Sequence, residues 1–183
     1  DAHTAETVLS YLRDDGLDPE PFLARGQLAI LSREETYLRG GVFDPDGMIA
    51  LLRSETERAI AQGYVALRVT GEMTWALRGL TAPESLVRHE VLLNEFFPGS
   101  RALAICQFDR RRFEPGVLLD VLRTHPYVVL GRDICASPHF VPPADFYGPD
   151  RPAVELDGWM RGLVERRQAE DALRESRALL ASI

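Results

Sequence analysis

The sequence predicts an α/β fold: a three-layer α/β/α sandwich around a mainly parallel sheet, followed by one long helix. Three observations carry this. Dense apolar runs of strand length, such as Tyr64–Val69, alternate with helical-period segments joined by short loops. The Phe43-Asp44-Pro45 device, with Met48, Leu51, Leu52 and Arg53 behind it, is echoed by Phe113-Glu114-Pro115 with Leu118, Val121, Leu122 and Arg123 at the same offsets, as two equivalent strand-crossing helices would be. After Pro152 the chain becomes polar and almost free of breakers, with Gly158 and Gly162 the last glycines.

Taken in order, residues 1–16 read as a helix with Val8, Leu9 and Leu12 on its apolar side, stopped at Asp15-Gly16. A short helix follows Pro19. Gln27–Leu31 reads as a short buried strand. Asp44 can cap, and Pro45 suits the first turn of, a helix that carries Met48, Leu52, Thr56 and Ile60 to Gly63. The run Tyr64, Val65, Ala66, Leu67, Val69 has the composition of a strand buried on both faces. It breaks at Thr70-Gly71-Glu72, and Met73 and Trp75 come next.

Thr81-Ala82-Pro83-Glu84 matches a capping box for a helix with Leu86, Val87, Val91, Leu93 and Phe97 on its apolar side. Arg101–Phe108 reads as a strand, and a helix from Pro115 ends at His125-Pro126. Tyr127–Leu130 is a strand, and Asp133–Val141 a further strand or hairpin arm. Pro142–Pro152 reads as a domain exit. The division expected is a domain over 1–147 and a helix over 152–183. On that helix Ala169, Leu173, Ser176, Leu180 and Ile183 recur at steps of four and three, a heptad seam suited to a parallel homodimer, though a single solvated helix also fits.

Composition excludes several chemistries. Net charge is -7, with no basic stripe, so nucleic acid is not an expected partner. No apolar run approaches the ~20 residues of a membrane span, and a cytoplasmic setting with reduced thiols is expected. All 21 basic residues are Arg. A phosphate loop ending in Gly-Lys-Ser/Thr and lysine general bases are therefore impossible, and no ATP hydrolysis is expected. His3, His89, His125 and His139 lack mutual helical spacing, so no metal site and no cofactor are expected. Cys106 reads as a buried structural thiol and His125 as a helix C-terminal residue.

In open α/β sheets ligands collect beyond the carboxyl ends of strands, where Glu72, Met73 and Trp75 would stand; a strand that merely leaves the core, with Met73 and Trp75 capping it, fits equally. Glu90 and Asn94, four apart, share a helix face and either border its apolar stripe or point at that crevice. If Glu72 and Glu90 converge, the two carboxylates need a shared proton or an Arg, and Arg68 is nearest in sequence.

The segments GQLAILSREETYLRGGVFDPDGM, GYVALRVTGEMTWAL, ALAICQFDRRRFEPGVLLDVLRTHPYVVLG and SPHFVPPADF together resemble the MEDS family, a sensory domain named after methanogens, methylotrophs and a dichloromethane-responsive regulator. The resemblance spans roughly residues 8–147. It implies an α/β sandwich akin to RecA- and KaiC-type ATPases, without a phosphate loop, and a sensor of small molecules, with hydrocarbon derivatives as the proposed class. The motif positions it carries over are Arg68, Thr70, Glu72, Trp75, Glu90, Asn94, Cys106 and His125. Members usually start with a further strand-helix-strand unit, often opening with a His. This chain departs from that pattern, His3 does not match that His, and the unit is expected to be lacking. RRQAEDALRESRALLASI resembles the helix that joins sensory domains to PAS or histidine-kinase modules. The expected function is signal input to such a module. The alternatives are a degenerate RecA-like nucleotide binder, with Arg and backbone amides at the phosphates, and a protein-interaction domain.

Overall fold

The computed structural model describes residues 4–78 and 82–181. His3, Thr81 and Ile183 lie outside the described residues. The chain divides into two compact units, residues 1–118 and 119–183.

The first unit opens with α1 (Ala5–Asp14), where the Thr4 hydroxyl accepts from the Thr7 amide at 3.2 Å, and α2 (Glu20–Ala24). Gln27–Leu31, expected as a strand, forms none. Gly26 turns the chain at φ 68° just before it, and the run is too short to hold a ladder without a neighbouring strand. In α3 (Pro45–Ala61) the Asp44 side chain caps the Asp46 amide at 3.1 Å, and Pro45 fills the first position. Strand β1 (Leu67–Glu72) runs parallel to β2 (Ala102–Gln107), with Leu67 opposite Ala102 and Glu72 opposite Gln107. Between them come a 3-10 turn (Met73–Arg78) and α4 (Pro83–Phe96), whose N-cap is Ala82.

Helices α3 and α4 pack Met48, Leu52, Leu86, Leu93 and Phe96 together with Val69, Ala102 and Cys106 of the inner sheet face. The expectation of strands buried on both faces is corrected here. Arg68, Thr70 and Gln107 are exposed on the outer face, and Leu103 and Ile105 keep 57% and 50% of their surface. Residues 64–66 precede the ladder instead of joining it. The apolar run reads as doubly buried because its composition is that of a buried strand, whereas burial depends on a layer the run does not encode. The fold is thus mixed, with a short parallel sheet and a long C-terminal helix.

In the second unit, the end of α5 (Pro115–Thr124) meets a hairpin of β3 (Tyr127–Leu130) and β4 (Asp133–Ala136), which pair antiparallel. This pair is a separate sheet, so the expectation of one mainly parallel sheet is narrowed to the β1–β2 pair. The four-residue α6 (Pro143–Phe146) leads to α7 (Arg151–Ala181). A ring of charges fixes the root of α7. Arg151 reaches Glu155 at 2.6 Å and Asp120 at 3.4 Å, while Arg123 reaches the same two acids at 3.2 and 2.9 Å. Arg151 also lies over the Phe146 ring at 4.3 Å. Beyond Gly162 every residue of α7 through Leu180 is exposed except Asp171, which is half-buried. Among the described residues no helix is long and apolar enough to cross a membrane.

Candidate functional site

Strand β1 ends in a turn that folds Met73, Thr74 and Trp75 completely inward. The Glu72 carboxylate anchors the turn: it accepts from the Thr74 amide at 2.9 Å and from the Thr74 hydroxyl at 2.7 Å. That fixes the backbone direction and aims the Trp75 indole into the unit.

Tyr37 stacks on Trp75, with centroids 4.5 Å apart and 20° between planes. Phe43 meets the indole edge-on at 4.9 Å and His89 at 5.4 Å. His89 also presents its edge to Tyr37 at 6.2 Å. These four rings form a closed aromatic nest. The Trp75 Nε1 and His89 Nδ1 atoms are buried within it without a hydrogen-bond partner among the described residues. Burial alone pushes the His89 imidazole down to about 4, so at neutral pH the ring is uncharged.

A polar group adjoins the nest. Glu90 is 1% exposed, and the Cys106 thiol donates to its Oε2 at 3.4 Å. Burial, then the Glu90 carboxylate, then that hydrogen bond push the Cys106 thiol well above its ordinary value. The Tyr37 phenol is also pushed up, by burial first and then by Cys106, Glu90 and Glu72, so it stays a neutral O–H. Cys106 is therefore a protonated donor and not a nucleophile. Iodoacetamide at pH 8 should modify exposed Cys135 of β4 and leave Cys106 untouched until urea unfolds the chain, which peptide mass spectrometry reads directly.

The Tyr37 hydroxyl lies against Gly71, where a Cβ would collide with it. Glycine here is a packing requirement, since the backbone must come within reach of a phenol. Gly71→Ala should cost about 2 kcal/mol in urea unfolding, and adding Tyr37→Phe should recover most of it. An unchanged midpoint would contradict this contact.

Of the residues singled out from the sequence, Glu72, Trp75, Glu90 and Cys106 gather around Tyr37. Asn94, one turn on, donates to the Glu90 carbonyl at 2.8 Å. Arg68 and Thr70 stand on the outer sheet face. Gln107 donates to Thr70 Oγ1 at 2.9 Å, and Arg68 makes no ion pair among the described residues. His125 belongs to the second unit. Its Nδ1 lies 2.8 Å from the Val121 carbonyl, which can only accept, so Nδ1 carries the proton. Tyr37, Phe43 and His89 are central to the nest and were not among the expected site residues. For His89 a signal exists: it stands three residues after Leu86 and four before Leu93, in phase with the core stripe of α4.

One family model, described as MEDS, MEthanogen/methylotroph, DcmR Sensory domain, matches residues 1–126 of the 183. No curated protein and no solved structure matches the chain.

Proposed function

This chain belongs to the MEDS family of sensory domains, and from that premise we propose that it is the signal-input part of a bacterial signal-transduction protein. The observation that carries the proposal is the family match over more than two thirds of the chain. A small, largely apolar ligand, for which a hydrocarbon derivative is one class, alters the first unit. Helix α7 carries the change onward to a PAS or histidine-kinase module. The buried nest supports this reading: packed rings with unpartnered Trp75 and His89 nitrogens give the first unit an interior whose arrangement a small, largely apolar molecule can shift.

We propose further that α7 pairs in parallel with its counterpart in a second chain. Its 31 residues make a rod of roughly 45 Å, exposed along the seam Ala169, Leu173, Ser176, Leu180. The distal half of α7 is polar apart from this seam and Leu179, too few apolar residues to hold a helix alone in water, so a partner is needed. The parallel pairing of β1 with β2 through the intervening α4 supports the three-layer, RecA-like reading.

The test is a thermal-shift screen of small apolar and weakly polar molecules against the purified chain, with ATP included. The proposal expects a saturable rise in Tm with a small organic molecule. Stabilisation by ATP alone, falling steeply with salt, would replace it with the nucleotide-binding reading.

A further inference from the structure

A cleft of about 300 Å³ opens between the loop 36–42 and the first two turns of α3. Tyr37, Val42, Met48 and Leu51 give it apolar walls, and Arg39 and Asp44 stand at its polar side. That volume is at the lower end of ligand sites and takes a molecule on the order of ten non-hydrogen atoms.

The two charges are not equivalent. Asp44 is committed to the helix, since its Oδ1 accepts from the Asp46 amide at 3.1 Å. Asp46 is itself paired with Arg88 at 2.8 Å. Arg39 is exposed and makes no ion pair or side-chain hydrogen bond among the described residues, so its planar fork is available to a carboxylate. Of the two, Arg39 is the charged group without a partner among the described residues, and it stands beside apolar walls that include Tyr37 and Met48.

We propose that this cleft binds a small, flat, mainly apolar carboxylic acid, its ring against Tyr37 and Met48 and its carboxylate on Arg39. The assignment rests on the signal-input reading and gives that reading a place and a ligand class. Tyr37 makes the cleft more than a surface hollow. The residue that walls it also stacks on Trp75 and sets its hydroxyl against Gly71 at the end of β1. A ligand that moves Tyr37 must move the nest, because the packed rings leave it no independent freedom.

The experiment titrates the 15N-labelled chain with benzoate and with benzamide, its uncharged counterpart, and follows backbone amides by NMR. Benzoate is expected to give saturable shifts at Gly40, Gly47 and neighbouring amides of 36–51, and to bind at least tenfold tighter than benzamide. Arg39→Gln, a change at an exposed position, should weaken benzoate at least tenfold and leave benzamide unchanged. Absence of saturable shifts in 36–51, or equal benzoate affinity in Arg39→Gln, would overturn the proposal. A screened molecule that raises Tm while benzoate leaves 36–51 untouched would sink the cleft and keep the input reading. Benzoate in the cleft with no response of α7 would do the reverse.

Discussion

Acidification from pH 7 to pH 4 should cost the first unit about 3 kcal/mol through His89 alone. The imidazole is held to about 4 in the folded state against an ordinary value of 6.5. Between those values the unfolded chain binds a proton that the folded chain refuses, so stability rises with pH across the window. The contribution is fully present above pH 6.5 and is lost progressively as pH falls through about 4. Two and a half pH units at about 1.4 kcal/mol each set the size. The cause is burial, with Phe43 and Tyr37 edge-on to the ring. Urea unfolding from pH 7 to 4 checks this. The His89→Phe variant should lose the steep part of the profile, whereas an unchanged profile would assign the acid sensitivity to other groups.

The second large effect is loss of pairing. Leu173→Glu with Leu180→Glu should convert a dimer wholly to monomer in sedimentation velocity at high micromolar concentration. Both leucines are exposed, at 53% and 71%, so neither supports the fold of its own chain. In a parallel pair each would face its twin, and the substitutions set like charges opposite one another in place of the apolar contact. The first unit should stay intact, with the Trp75 near-UV signal unchanged. In such a pair Ala169 and Ser176 on the same seam would add little apolar contact, leaving the pairing weak enough to change register or rotation. A wild-type chain that is monomeric at the same concentration would remove this part of the function.

Local rules made much of the fold legible. Asp44-Pro45 starts α3 because a capping carboxylate and a fixed φ act within one turn. β1 and β2 pair as expected of strands separated by a helix. What failed depends on distant chain. Among the described residues no strand lies beside Gln27–Leu31, despite its strand composition, and no layer covers Leu103 and Ile105. The candidate site divides the same way. Trp75, Glu72 and Glu90 follow from the break after β1 and the spacing on α4. Tyr37 sits in a loop whose path is set by the rings it packs against, and nothing in its neighbours states that its hydroxyl meets Gly71. His89 was readable from its phase with Leu86 and Leu93, but a histidine invites a search for metal partners before a search for a core position.

A change in the first unit is expected to reach a paired α7. Spin labels at Ala178→Cys, off the seam, in a Cys135→Ser background report it directly, since Cys106 is too strongly protonated to be labelled. Dipolar spectroscopy should give one narrow interhelix distance. That distance should shift or broaden on addition of the molecule giving the largest rise in Tm. No dipolar coupling, or the same distance distribution with and without that molecule, would contradict it.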